Sequence, residues 1–459
     1  MSNLPTFEEA LQGMQGMMEK LPEMAPPTDM PPEERVRRAT AVFMGSVGAR
    51  FATYLESCIH CGHCAQACHF YRTTPDPKYT PIHKLEPFRR IYRREAGPFR
   101  WLHKLFTRPV TADELEQWQE LVFDSCTMCG RCSMICPMGI DIATMVHHAR
   151  GALDAAGLTP PEIRAIAAEQ AGQDTVFGAS ADKLREVVGM LKEEEGIEIP
   201  LDRDKADILV LTSGLDIMMN PRGILATAKV LNHLGVDWTL RSDGFESINF
   251  GAQTGNEETH ADIARRRIDT AVKVGAGTVL LCECGHTYTA LRWAEFLQDE
   301  PLPFKVMYIS EFLGREVQEG RLELTSDGGT VTFHDPCKTG RVGGIFEEPR
   351  AVLEAMGDEV REPSTHHQAN YCCGGGGAVF LLQRAASLRA GVYRLKMDQF
   401  ERTGADALVT ACGSCRLNFV GAAQMYGWNK PVESLVERAA AHLPPGDGDG
   451  HEPWRRPGK

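Results

Sequence analysis

The sequence predicts an α+α/β protein: an all-helical front part followed by two α/β units in tandem. Three observations carry that prediction. Helix-like sequence fills residues 50–205 around two cysteine-rich motifs. "DILVLTSG" and "TVTFHDPC" each read as a short apolar strand running into turn residues, the pattern of strands buried on both faces of a parallel sheet. Both blocks then repeat one order: a helix ("GILATAKVLNHLG", "EEPRAVLEAMG"), a longer helix, and a buried strand ("TVLLCECGH", "ALVTACGSC"). This spacing predicts an internal duplication of roughly 100–120 residues, longer than a solenoid repeat.

Taken in order, residues 1–45 form a Met/Pro-rich helix and linker. Phe7, Leu11, Met14, Met18 and Leu21 fall at helical spacing, either packed on their own domain or presented as an adaptable methionine-rich docking face. Residues 46–150 form a helical domain, and residues 151–205, including "LKEEEGIEIPLDRDKAD", a helical linker. The first α/β unit takes residues 206–300 and the second 301–442. The tail 443–459, "LPPGDGDGHEPWRRPGK", is expected to be disordered.

The chain has 459 residues and a net charge of -13, which argues against a nucleic-acid partner. No apolar run approaches the roughly 20 residues needed to span a bilayer, and no signal-like segment opens the chain. A cytoplasmic protein is expected, reaching the cytoplasmic face of the inner membrane only peripherally or through a partner. One stretch runs against the overall charge. From Lys84 to Arg108 eight Lys or Arg face only Glu86 and Glu95, with Phe88, Tyr92, Phe99, Trp101 and Phe106 between them. Such a stretch is a charged face packed on its own domain, or a contact for an anionic membrane or an acidic redox partner.

Fifteen cysteines sit in tight groups, which in a reducing compartment reads as metal ligation rather than disulfides. "CIHCGHCAQACH" supplies Cys58, Cys61, Cys64 and Cys68; "CTMCGRCSMICP" supplies Cys126, Cys129, Cys132 and Cys136. Both follow C-x2-C-x2-C-x3-C, the bacterial iron–sulfur spacing. Two-residue gaps let a turning backbone aim three thiolates at three corners of one cube, and the fourth cysteine serves the other cluster. Cys58, Cys61, Cys64 and Cys136 are thus assigned to one cubane [4Fe–4S] cluster. Cys126, Cys129, Cys132 and Cys68 are assigned to a second. Zinc, which takes two separated ligand pairs, fits two four-cysteine runs poorly. The helix-like insert 69–125 ("HKLEPFRRIYRRE", "ADELEQWQELVF") resembles the all-helical ferredoxin domain of respiratory iron–sulfur subunits. Pro137 follows Cys136 as it usually does; His69 after Cys68 is a departure. His60, His63 and His69 are expected beside the clusters or in solvent, not as ligands.

Five more cysteines come from three places: Cys337 in "HDPCKTGR", the adjacent Cys372 and Cys373 in "NYCCGGGGAVF", and Cys412 and Cys415 in "CGSC". Neighbouring cysteines make a poor disulfide. Four glycines give up packing and backbone entropy unless the chain must pass close to something. Five thiolates exceed by one what a cubane or a structural zinc needs, and an adjacent pair suits a larger, irregular cluster. The pattern Cys337…Cys372-Cys373-Gly374…Cys412-x2-Cys415 resembles the CCG cysteine-rich domain of heterodisulfide reductase. With the two front motifs, residues 50–430 resemble the D-type subunit of heterodisulfide reductase and the related DsrK family. "CHFYRTTPDPKYTPIHKLEPFRRIYR" and "ECGHTYTALRW" are similar to DsrK in particular. The resemblance implies one noncubane [4Fe–4S] centre on those five cysteines. The first unit has Asn249-Phe250-Gly251 in place of the pair and keeps only Cys282 and Cys284, so no second such centre is expected. Cys284, with His286, is either a redox thiol or a buried structural one.

The resemblance implies an iron–sulfur oxidoreductase subunit. Electrons would pass through two cubanes to or from a noncubane centre that handles a disulfide, trisulfide or persulfide in sulfur metabolism. Disulfide cleavage takes two electrons while clusters pass one at a time, so a centre that takes a substrate sulfur would bridge the mismatch. His334, His286 and His366 are candidate proton donors by position. The implied partners are a membrane cytochrome b or other quinone-linked subunit and a small sulfur-carrier protein. The rival reading is a non-catalytic electron-transfer subunit of the glycolate oxidase iron–sulfur type, served by a separate flavin subunit. No G-x-G-x-x-G follows a strand, so no flavin or NAD site is expected in this chain.

Overall fold

The computed structural model describes residues 7–293 and 301–445; most of the tail expected to be disordered lies outside them. The front is helical, and its spine is the helix Ile142–Ala155. Asp141 caps it by accepting from the Thr144 N–H. Ile142, Met145, Val146, Ala149 and Leu153 recur at helical spacing and are all buried, so one face of this helix organises the domain. Helix Pro32–Ser46 packs along it. Phe43 wedges between Phe51 and Phe88, with ring centroids 5.7 and 5.0 Å away. Residues expected as linker therefore supply part of the helical core. Helix Phe7–Met24 buries Met14, Met18 and Leu21 in the same core, the own-domain alternative for that stripe; the Phe7 and Leu11 side chains lie outside the described residues.

The basic stretch divides in two. Helix Glu86–Glu95 buries Phe88, Ile91 and Tyr92, and Arg89, Arg90 and Arg93 pair with Glu86, Glu114 and Glu56. That half is a charged face on its own domain. The next helix, Arg100–Phe106, buries no residue. Phe99, Trp101, Leu105 and Phe106 are 71, 67, 71 and 75% exposed.

Between the helical front and the sheets, helix Pro161–Gln173 sends Ile163 and Ile166 into the helical core. Helix Ala181–Glu195 lays Leu184, Val187 and Leu191 on the first sheet's core. These helices are packed parts of the fold on either side. Among the described residues eight short strands follow: β1 (Ile208–Leu211), β2 (Trp238–Thr239), β3 (Thr278–Leu281), β4 (Lys305–Tyr308), β5 (Thr330–His334), β6 (Glu359–Val360), β7 (Ala407–Thr410) and β8 (Val432–Ser434). They form two four-stranded parallel sheets, ordered β2-β1-β3-β4 and β6-β5-β7-β8. β1 and β7 are buried along their whole length, as parallel strands covered on both faces must be. Val210, Leu280, Phe333 and Val409 belong to one continuous core that runs through both sheets. In each sheet the strand order reverses between the first and third strands. Ligand-bearing loops gather at such a switch point, beyond the carboxyl ends of the strands. No helix among the described residues is long and apolar enough to cross a membrane.

Candidate metal centre

The two front motifs fold into the same loop twice. His60 and Met128, each just before the second cysteine of its run, have φ of 54° and 50°; Gly62 and Gly130, just after it, have φ of 80° and 75°. These left-handed residues turn the backbone around a hollow, after which the short helices His63–Ala67 and Arg131–Met134 lead away. Two cavities result. One is lined by Cys58, Cys61, Cys64 and Cys136, the other by Cys68, Cys126, Cys129 and Cys132. The last cysteine of each run lies in the other run's cavity. The first cavity lies at the surface, where Cys61 is exposed. His63 Nδ1 stands 3.3 Å from Cys61 Sγ. His69 is buried and lines the second cavity.

The five rear cysteines meet at the second sheet's switch point. Cys337 follows β5, Cys412 and Cys415 follow β7, and the pair comes in on the glycine loop. Cys372 contacts Cys337 and Cys373, Cys373 contacts Cys415, and Cys415 contacts Cys412. All five are buried, in a shell that includes Tyr393, Met397, Phe400 and Phe419. Two of the glycines are sterically required. Gly374 has φ 92°, and a Cβ on Gly375 would overlap the Asn418 amide. The loop is thereby pressed against helix Gly413–Tyr426. At the corresponding end of the first sheet Thr212 and Ser213 donate to Asp216, and Glu246 accepts the Gly214 N–H. Asn249 there caps a helix by accepting from the Ala252 N–H. Burial pushes the Cys284 thiol up to about 12 and Cys282 higher still, so both are protonated at neutral pH.

The second cavity and the five-thiol site adjoin: Cys129 of the one contacts Cys372 of the other. Three arginines hold them together through backbone carbonyls. Arg150, fully buried, donates to Val122, Gln253 and Gly377 at 2.8 Å each and to Cys126 at 2.7 Å. Arg341 donates to the carbonyls of Cys129, Gln368 and Asn370. Arg131 donates to Ala67 at 2.7 Å and Ala369 at 2.9 Å, and lies 3.8 Å over the Tyr371 ring. Each joins carbonyls of segments far apart in the chain through one side chain. Sulfur-only donor sets on loops that curl around a hollow suit iron–sulfur clusters.

Comparison with known proteins agrees. Residues 54–140 match a 4Fe-4S dicluster domain, and residues 331–420 match the CCG cysteine-rich domain. The D-type subunit of the dihydromethanophenazine:CoB–CoM heterodisulfide reductase of Methanosarcina mazei is 29% identical over 403 residues, 85% of this chain and 94% of that one. The iron–sulfur subunit of an Hdr-like menaquinol oxidoreductase of Archaeoglobus profundus is 26% identical over 441 residues, covering 83% and 78%. The chain is a heterodisulfide-reductase-like iron–sulfur protein. An EtfAB:quinone oxidoreductase of Syntrophomonas wolfei is also similar, 26% identical over 79% of this chain and 54% of that one. In fold alone, a hypothetical protein from Helicobacter pylori superimposes with a TM-score of 0.54 at 10% identity, over 97% of this chain and 78% of that one.

In this heterodisulfide-reductase-like protein the three candidate histidines sit differently. His334 is sealed in edge-on contact with Phe400 and Phe419, and burial holds it neutral, well below its usual range. His366 pairs with His367, which reaches Glu347 at 3.1 Å. His286 accepts the Gly377 N–H at 3.1 Å. Burial, with help from Lys338 and Arg150, lowers it to about 3. It also lines an open cleft of about 440 Å³, with Lys338 and Arg341 beyond Cys337 and with Gly130. Of the three, His286 reaches both the glycine loop and the cleft. Sequence reasoning missed Lys396. It is fully buried and held by Asn370 Oδ1 at 2.7 Å and Gln399 Oε1 at 3.1 Å. Burial pulls it down to about 7, while Asp335 and the nearby Cys372, Cys373 and Cys415 favour its charge. Its only signal was a lysine among apolar residues in "GVYRLKMDQF".

Proposed function

We propose that this chain is the electron-carrying, sulfur-handling subunit of a larger oxidoreductase. On this reading Cys58, Cys61, Cys64 and Cys136 hold one cubane cluster, and Cys68, Cys126, Cys129 and Cys132 a second. Cys337, Cys372, Cys373, Cys412 and Cys415 hold a noncubane centre. Bound there, the clusters supply one-electron transfer. The observation that carries the reading is the Cys129–Cys372 contact. It sets the three thiol groups in a row, from the surface at Cys61 to the buried pair.

The chain's own residues suit reduction of a disulfide, trisulfide or persulfide. The apolar shell keeps water from the five thiols. The cleft lined by His286, Lys338 and Arg341 gives a substrate a way in, beside cations that stabilise a departing thiolate. Each S–S bond cleaved consumes two electrons and two protons; His286, neutral and accepting the Gly377 N–H, lines the cleft from which those protons come. The two sheets read as copies of one unit, the first having exchanged its cluster thiols for hydroxyls, carboxylates and Asn249.

The partner is a quinone-linked membrane subunit. The exposed face from Phe99 to Phe106, flanked by Arg100 and Lys104, is assigned to the anionic lipid surface around it. A second reading is the non-catalytic carrier fed by a flavin protein, and the similarity to an EtfAB:quinone oxidoreductase favours it. EPR of the oxidised protein with and without added thiol separates the two. A signal displaced by thiol supports sulfur chemistry at the rear site; a signal left unaltered supports the carrier.

A further inference from the structure

We propose that His147, Glu257 and His260 form a mononuclear site for a zinc-class divalent cation, clamping the helical front to the first α/β unit at the rim of the cleft. The three residues come from two domains: His147 from helix Ile142–Ala155, and Glu257 and His260 from the first turn of helix Glu257–Val274. Their ligand atoms lie within 4.8 Å of one another. His147 Nε2 is 2.9 Å from one Glu257 oxygen, and His260 Nδ1 is 3.9 Å from the other. A tetrahedral ion with bonds of about 2.0–2.1 Å needs donors roughly 3.3 Å apart, so side-chain rotation of about 1 Å closes the set.

Two features mark this as a built site rather than a chance ion pair. The first is the fixed backbone beneath it. A Cβ on Gly255 would overlap the His147 carbonyl, and a Cβ on Gly151 would overlap the Gly255 carbonyl. The two domains therefore touch main chain to main chain, one helical turn from His147. Asn256 Nδ2, donating to Asp154 at 3.0 Å, fixes the register.

The second is the orientation of His260. Its Nε2 faces the Ala290 carbonyl at 3.3 Å. A carbonyl only accepts, so Nε2 carries the proton and Nδ1 keeps a lone pair. That Nδ1 is buried and has no hydrogen-bond partner. A histidine that gives its far N–H to a carbonyl while aiming a bare nitrogen at a carboxylate and a second imidazole is oriented as metal-bound histidines are. Two nitrogens and a carboxylate favour zinc or ferrous iron over the soft ions that prefer thiolates. His147 and His260 both line the cleft, so an ion can enter from solvent. This site is independent of the cluster assignments.

The test uses the full chain, purified anaerobically with its iron, then given one equivalent of zinc and passed over a desalting column. The expected result is one zinc retained per chain. Zinc-edge X-ray absorption should show only nitrogen and oxygen neighbours at about 2.0–2.1 Å. His147→Ala and His260→Ala should each weaken zinc binding at least 100-fold, and Glu257→Gln about tenfold or more, with iron content unchanged. Sulfur neighbours at about 2.3 Å would mean that zinc had lodged at the cluster thiols and would overturn the proposal. So would zinc lost on the column, or wild-type affinity in His260→Ala. Glu257→Gln alters one half-exposed side chain, so its folding is not at stake if a histidine variant fails to express.

Discussion

Arg150→Met is the substitution most revealing of how the metal loops are held. The guanidinium makes four hydrogen bonds of 2.7–2.8 Å to carbonyls in three segments: residues 122–126, Gln253 and Gly377. It also lies 4.6 Å over the Phe123 ring. At about 1.5–3 kcal/mol for each charge-assisted bond, the gross loss is about 6–12 kcal/mol. Against this, methionine removes the cost of burying a cation. Burial lowers Arg150 from its ordinary range to about 10, a cost of about 3 kcal/mol. Because the bonds share one side chain and are not additive, a net loss of about 3–5 kcal/mol is expected. Spread over the whole chain this moves the melting temperature by only a few degrees. Local opening is the sharper readout. Hydrogen exchange at residues 122–126 and 375–378 should accelerate by about 10²-fold to several thousandfold, since each 1.4 kcal/mol is a factor of ten. Arg150→Lys should recover only part, because one ammonium cannot reach three segments at once. Exchange within threefold of wild type at both loops, with iron content intact, would refute the view that Arg150 joins them.

Two further outcomes follow from the proposed function. Cys136→Ser should disturb the cluster of Cys58, Cys61 and Cys64, and Cys68→Ser that of Cys126, Cys129 and Cys132. Cys282→Ser and Cys284→Ser should leave the iron content unchanged. Iron analysis and low-temperature EPR check this, and loss of the cluster nearer in sequence would reverse the crossed assignment. Trp101→Glu combined with Phe106→Glu should cut co-sedimentation with vesicles of about 30% anionic lipid at least tenfold, leaving the iron signals as they were. Wild-type protein that stays in the supernatant at low salt would remove the lipid face.

How much was legible varies with how local the cause is. The front cysteine sets could be grouped from spacing alone, because C-x2-C-x2-C fixes a loop in which left-handed residues fall at the same offsets, as at His60, Gly62, Met128 and Gly130. The strands of both sheets were legible for a similar reason: a parallel strand covered on both faces has to be apolar throughout. The helix Pro32–Ser46 was missed as a core element. Its exposed face is rich in Glu and Arg, and Phe43 shows its importance only beside Phe51 and Phe88. The basic stretch was ambiguous because ion pairing across elements, such as Arg93 with Glu56 and Arg90 with Glu114, is invisible in sequence order.

Residue order alone sets which atoms are available: thirteen thiols in three sets and the glycines that let the chain close on them. Short-range geometry does this, since a two-residue gap or a left-handed turn acts before any distant contact forms. Tertiary structure alone decided how those sets meet. It set Cys129 against Cys372, brought Arg150, Arg131 and Arg341 from surface-like contexts to carbonyls far along the chain, and faced His147 with Glu257 and His260. Such meetings depend on which helices and loops share a core. That is a property of the whole packed chain, which no window of residues contains.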